Sequence, residues 1–245
     1  PNEEEQTRSD DDKPEGQDDE RQEAEANAGK EQQGSDEAVA ETDEGPSFEG
    51  GDAMPFKFTV LPLVSYPFDG PDQPTPSYSF NLLVGRNYAL DGFEFGMLLN
   101  SEKAYADGVQ VSLGANWVSG PVRGLQTSMA ANINTGQVRG LSTTIGGNVS
   151  GGLNGAQLSV GGNLSLGDTT GLQGSVGANW STGKVTGAQL AMLNVAGDVA
   201  GFQGGMLNVG RQVDGVQLGL LNIAKTSDVS LGLMNINWSR PAYGL

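Results

Sequence analysis

The chain of 245 residues carries 30 acidic and 13 basic side chains, a net charge of −17, and contains neither Cys nor His. Those absences exclude disulfide frameworks, thiol nucleophiles, haem ligation and the usual zinc sites, and leave no side chain whose ordinary pKa lies near neutrality. The charge is also confined: residues 1–52 hold 20 acidic against four basic residues, so 53–245 stands at −1 and has no basic stripe with which to bind nucleic acid.

Residues 1–52 have almost no large apolar side chains, and a segment with nothing to bury cannot offset the entropy of ordering its backbone. They read as a disordered acidic tail that serves as a solvated spacer. No initiating Met and no positively charged apolar leader stand at the start, so the chain reads as processed or truncated at Pro1. Membrane association through a missing N-terminal leader or anchor is compatible with that reading. Residues 53–90 concentrate Phe, Tyr and Pro and read as an N-terminal aromatic cap or hairpin.

From 91 to 238 the sequence is periodic. Asn recurs at Asn100, Asn116, Asn132, Asn148, Asn163, Asn179, Asn194, Asn208, Asn222 and Asn235, at spacings of 13 to 16 residues, and a Gly precedes nearly every one by seven or eight positions. Between Gly and Asn the sequence alternates. In GVQVSLGANW, Val109, Val111, Leu113, Ala115 and Trp117 share one face and Gln110, Ser112, Gly114 and Asn116 the other, the period of a strand. The apolar face is the natural candidate for the core, so Leu218→Asp and Val176→Asp are expected to unfold their surroundings. A second apolar column (Leu90, Ala106, Val122, Val138, Leu153) lies two residues before each Gly, at a parity that disagrees with the first; a bend or a bulge at the Gly, as at Gly124, would let both face one core. A second corner falls in the small residues of VSGP, NTGQ, SGGL, SLGD and STGK.

Repeated strands and corners stacked on one another make an all-β fold, a parallel β-solenoid of about ten coils of 13 to 16 residues. Asn and Gln would then form columns whose amides bond their copies above and below. N-x-S triplets stand at Asn148, Asn163, Asn179 and Asn237; three of the four are by-products of the repeat, and none is read as a glycosylation signal. An antiparallel outer-membrane β-barrel of about 12 strands is the alternative, but it alternates short and long turns and carries aromatic girdles that this pattern lacks. Residues 239–245, with Pro241, read as a C-terminal cap; the solenoid ends are the places for self-association.

The late copies, above all GVQLGLLNIA from Gly215, resemble the surface-repeat proteins of bacterial envelopes built on G-x-Q-[LIV]-G-[LIV]-[LIV]-N-[VI]-A, over about residues 92–238. The early copies depart from that pattern, with Ser112, Ser128 or Ser159 in the Gly place. The resemblance implies a bacterial protein of the cell envelope, outer surface or extracellular space, non-catalytic, acting as a structural or interaction surface toward a cell-surface or extracellular partner. A weaker similarity of Gln217, Gly219, Asn222 and Ala224 to curli-type fibre subunits implies a polymerising fibre subunit.

Enzymatic chemistry on such a scaffold needs converging carboxylates. The candidates are Asp69, Asp72, Asp91, Glu94, Asp107, Asp168, Asp198, Asp214 and Asp228, mostly near corners and a coil or more apart. Only Asp198 and Asp214, with Arg211, are placed to meet on adjacent coils. The sequence assigns no catalytic, cofactor-binding or metal-binding residue.

Overall fold

The computed structural model describes residues 51–61, 64–66 and 73–239. The acidic tail up to residue 50, Asp69 and Asp72, and the cap from residue 240 lie outside the described residues. The rest is all β, without a helix, and nearly every strand pairs in parallel with the strand one coil before and one coil after it. This is a β-solenoid. The pairing is in exact repeat register: Val122 with Val138, Leu153 and Thr169, Gly124 with Gly140 and Gly155, and Asn116 with Asn132, Asn148 and Asn163. Parallel neighbours exclude the barrel alternative, whose adjacent strands must run oppositely.

Stacking starts before the recognisable repeat. Strand β1 (Ala53–Leu61) pairs in parallel with β3 (Thr75–Asn81), which pairs with Leu90–Gly96, while β4 (Val84–Asn87) pairs with Leu99–Glu102. The short β2 (Val64–Tyr66) lies antiparallel against the free edge of β1, as a hairpin. Such a cover pairs the Phe58–Leu61 part of an otherwise open strand edge at that end of the stack.

Each coil has a longer strand through the Gly and a short one through the Asn, with a tight corner between them. The Gly is required by geometry. Gly124 has φ +118° and Gly140 φ +134°, and a Cβ on Gly140 would strike the carbonyl oxygen of Gly124 one coil earlier.

The expected inward face is overturned. Along Val122–Ser128 the fully buried side chains are Val122, Gln126 and Ser128, while Leu125 and Thr127 are only half-buried. Inward parity is therefore kept across the Gly, and these neighbouring strands show no register shift; the shift that does occur lies in the last coil, between Val213 and Val216. The parity conflict between the two apolar columns disappears because only the one before the Gly points in. Together with Val118, Ala196 and Ala224, which stand two residues after a column Asn, it forms two core clusters, Leu90, Ala106, Val118, Val122, Val138 and Leu153, then Val185, Ala196, Val199, Val213 and Ala224. The apolar residues after the Gly face outward: Leu113 is 48% exposed, Val176 60% and Leu218 50%. The outer residues stack on their copies one coil away, which hides part of each side chain and contributes about 1 kcal/mol where half an aliphatic side chain is covered.

The rest of the interior is polar and hydrogen-bonded. Each column Asn donates Nδ2 to the Oδ1 of the next, from Asn81 through Asn100 to Asn235, in ten consecutive bonds of 2.7–3.0 Å. From Asn100 to Asn222 the second hydrogen goes to a backbone carbonyl of the next coil, as from Asn116 to Thr127 and from Asn163 to Gly174. Ten of these Asn are buried and paired, so Asn148, Asn163 and Asn179 are not available as glycosylation acceptors. Asn81 joins from one strand earlier, its side chain lying over Gly85, which occupies the column position in its coil. A parallel Gln ladder runs 157, 173, 189, 203, 217, with a shorter one at 110 and 126, interrupted at Ser142.

Two expectations follow for stability, both read from urea midpoints. Val138→Asp buries an unpaired charge and is expected to cost several kcal/mol, whereas Val176→Asp, outward on the same stack, should stay within about 0.5 kcal/mol. Asn163→Leu strands the Oδ1 of Asn179 and the carbonyl of Gly174 at about 1–3 kcal/mol each, and Asn235→Leu, with a single ladder neighbour, should cost markedly less. Equal losses at Asn163 and Asn235 would mean that the ladder does not carry the stack.

Candidate functional site

Two features depart from a plain stack: a cluster of charged groups inside its N-terminal coils and an apolar edge outside. The cluster contains Lys57, Glu94 and Glu102, all at 0% exposure. Lys57 lies on β1 and donates Nζ to the carbonyl of Arg86 at 2.7 Å and to Asn87 Oδ1 at 3.0 Å. Glu94 occupies the Gln column, in register with Gln110, and Glu102 stands two residues after Asn100 in the column that Val118, Ser150 and Ala196 fill elsewhere. Glu94 Oε1 accepts from Asn81 at 2.7 Å and Asn87 at 2.8 Å, and Gln110 Nε2 donates to one oxygen of each carboxyl. Burial pushes the Glu102 carboxyl well above the usual carboxylate range; the Glu94 charge and a hydrogen bond shared with Glu94 push it further, while Gln110 and Asn87 pull it back. Glu102 Oε1 is buried and accepts no hydrogen bond, so ionising this carboxyl would leave that oxygen unpaired.

This pair was missed in part by sequence reasoning: Glu94 was a candidate and Glu102 and Lys57 were not. The available signal was positional, since both carboxyls stand in columns whose other members are small or amide side chains. Completely buried, the three groups offer a substrate no approach. The pair named from sequence does not converge: Asp198 lies opposite Gln212 and Asp214 opposite Ala200. Arg211 instead binds Asp198, Nε to Oδ1 at 2.9 Å, and holds its carboxyl below the usual range, while Asp214 accepts from Gln212. Asp91 stacks on Asp107, near Arg123, Asp168 accepts from the Lys184 backbone, and Asp228 is exposed. No three acidic side chains among the described residues are grouped to hold a metal ion.

The outer edge is more distinctive. At the corner just before each column Asn stands a large aliphatic side chain, including Leu98, Leu113, Met129, Ile145, Val176 and Met192, each about half exposed. The strands on both flanks add outward apolar residues: Val109, Leu125, Leu141 and Leu172 on one, Trp117, Ile133, Leu164 and Trp180 on the other. At the N-terminal end the first flank becomes aromatic, with Phe56, Tyr78 and Phe93 in one register and Phe58, Phe80 and Phe95 in the next. Solvent-facing Asp, Lys and Arg of the coils, from Asp91 to Asp228, all sit in the opposite corner region, between the second residue after an Asn and the next Gly position. They comprise six acidic and six basic residues. A continuous apolar surface of this length is unusual on a water-exposed protein.

The fold and these features define a parallel β-solenoid with a polar, laddered interior and an amphipathic exterior. No family model, curated protein or solved structure matches the chain.

The carboxyl pair sets a pH dependence. In the unfolded chain Glu102 ionises near about 4.3, and in the fold it stays protonated to higher pH, so folding takes up a proton in between. Its contribution is complete below about pH 4.3 and is lost as pH rises through the raised folded value. Glu102→Gln keeps a hydrogen-bonding group that never ionises. Melting temperatures recorded against pH should therefore fall on the alkaline side in the wild type and fall less in the variant; parallel curves would mean that folding takes up no proton at Glu102.

Proposed function

We propose that the protein is a non-catalytic bacterial surface-repeat protein of the cell envelope or extracellular space, which works by presenting its exterior to a partner. The observation that carries this reading is the uncharged apolar edge, repeated in every coil from Leu98 to Leu233 while hydrogen-bonding side chains are turned inward. A core makes no demand for such an edge, because the inward columns and the ladders already account for the stacking. The likeness of GVQLGLLNIA and its neighbours to tandem repeats of bacterial envelope proteins supports the location, and the absence of Cys and His leaves little chemistry for catalysis.

A second reading, as a polymerising fibre subunit, draws on the last described strand. Met234–Asn237 pairs with Leu221–Leu231 alone among the described strands, and Asn235 turns its amide to its own corner at Gly232. At the opposite end β2 covers the Phe58–Leu61 part of β1, which disfavours end-to-end growth there.

The test is topological. Protease added to intact bacteria that make the protein from its full-length gene should digest it while a cytoplasmic marker survives. Protection until the cells are lysed would overturn the surface reading.

A further inference from the structure

The apolar edge has a composition that selects its partner, and the inference rests on the surface reading above. From each positive-φ Gly to the second residue after the Asn, no coil exposes a charged side chain; Glu94 and Glu102 fall in that sector but are buried. A protein partner that docked in register would find almost no charged or directional group there to fix its position.

The backbone at the edge is also already satisfied. Corner amides and carbonyls bond from coil to coil, as in Ala130 to Gly114, Gly161 to Ile145, Met192 to Val176, Met206 to Met192 and Leu220 to Met206, at 2.9–3.3 Å. The carbonyl just before each corner receives the second hydrogen of a ladder Asn, as at Thr143, Gly174 and Leu218. A surface with its backbone paired internally and its side chains apolar can leave water without stranding polar groups, the condition that a hydrocarbon medium imposes.

Area and shape argue against a second copy. Ten coils spaced about 4.8 Å apart make an edge about 45 Å long, and each flank carries two outward positions per coil, a strip about 10 Å wide. A flat partner lying on one flank would cover about 450 Å², roughly half of the 800 Å² per partner typical of a stable interface. The two flanks meet at the exposed corner, so one rigid copy cannot cover both. A fluid layer can, and it also fills the shallow depression of about 660 Å³ where Gly204 stands between Leu190 and Leu218.

We propose that this edge seats in the acyl layer of a lipid membrane, with the solenoid axis in the membrane plane and the charged corner region in water. The arrangement is that of an interfacial amphipathic element, built from stacked coils instead of a helix. Charge complementarity points to the acyl chains rather than the headgroups: the buried sector is uncharged, the opposite corners balance six acids against six bases, and the chain as a whole is strongly acidic. Attraction to anionic headgroups is therefore no part of the binding.

Flotation of the 245-residue chain with phosphatidylcholine vesicles tests this. The wild type should float with the vesicles, equally at about 0.1 and about 1 M salt. Met129→Asp with Ile145→Asp and Val160→Asp, three successive edge positions, should reduce binding at least tenfold with the β spectrum kept; Lys184→Asp, on the charged side, should not. A readout free of edge substitutions uses Trp117 and Trp180: in a Trp238→Phe background, brominated acyl chains should quench and vesicles should blue-shift their emission. A wild type that stays with the aqueous fraction overturns the proposal, as does binding abolished by salt. So does a dimer in water that the triple variant converts to monomers. Protease-accessible protein on cells that fails to float would refute the lipid seat and leave the surface reading standing.

Discussion

The structure depends on one hydrogen-bonding arrangement, the column of Asn carboxamides. A carboxamide has two donor hydrogens and an acceptor oxygen, and in this column all three are used: the oxygen takes a bond from the coil before, one hydrogen goes to the next Asn, and the other to a backbone carbonyl of the next coil. That carbonyl always belongs to the third residue after the Gly, whether Thr127, Leu158, Gly174 or Leu218. It lies where the strand breaks to turn the corner and could lose its ladder partner. Ser could not supply the second donor, which explains why the same residue returns when almost every other column varies. The ladder also explains the tolerance in coil length. The corner residues between that carbonyl and the Asn drop by one in the late coils without disturbing either anchor, and the opposite corner lies outside the ladder altogether.

How much of this was legible follows from what periodicity encodes. The Gly and Asn columns gave the coil, the parallel stacking and the amide ladder directly, since identical residues at a fixed period are what a stack of equivalent positions requires. Alternation separates two faces of a strand but does not say which is inside. The general preference for apolar interiors pointed Leu218 and Val176 inward. The ladders defeat that preference because each buried amide meets another, and a paired polar column no longer carries the desolvation cost of an isolated group. The repeats held a discriminating sign. Asn recurs as itself in every coil from Asn100 to Asn235 and Gln in most, with Ser142 as a break, whereas the outward column wanders among Leu, Met, Ile and Val. Residues that must bond their own copies are fixed in kind, and residues that only shed water are not. The column before the Gly pointed the same way: a straight strand puts Val122 and Gln126 on one side, and only the assumption of an apolar inner face called for a bulge. The carboxyl pair was less accessible, because Glu102 and Lys57 acquire meaning only after the interior columns are known.

The two amide ladders run in opposite senses, and this accounts for the charged groups at one end. Asn side chains donate toward the C-terminal coils, from Asn100 to Asn116 and onward, while Gln side chains donate toward the N-terminal coils, as Gln126 does to Gln110 and Gln217 to Gln203. Aligned carboxamide dipoles in one column are thus opposed by those in the other, and the stack avoids a growing axial dipole as coils are added. The N-terminal end of the Gln column then presents the hydrogens of Gln110 with no further Gln to receive them. A carboxyl oxygen is the acceptor suited to that place, and both Glu94 and Glu102 supply one. Burial first and the neighbouring Glu94 second keep the proton on Glu102, and Lys57, buried in the same coils, donates to Asn87, which in turn donates to Glu94. The ion cluster is therefore read as the terminator of the shorter Gln ladder, whereas the longer one ends with Gln157 donating to the Ser150 hydroxyl. With the interior closed in this way at the start of the stack, hydrogen bonding inside is complete enough for the exterior to be chosen on other grounds, and the exterior chosen is apolar along one entire edge.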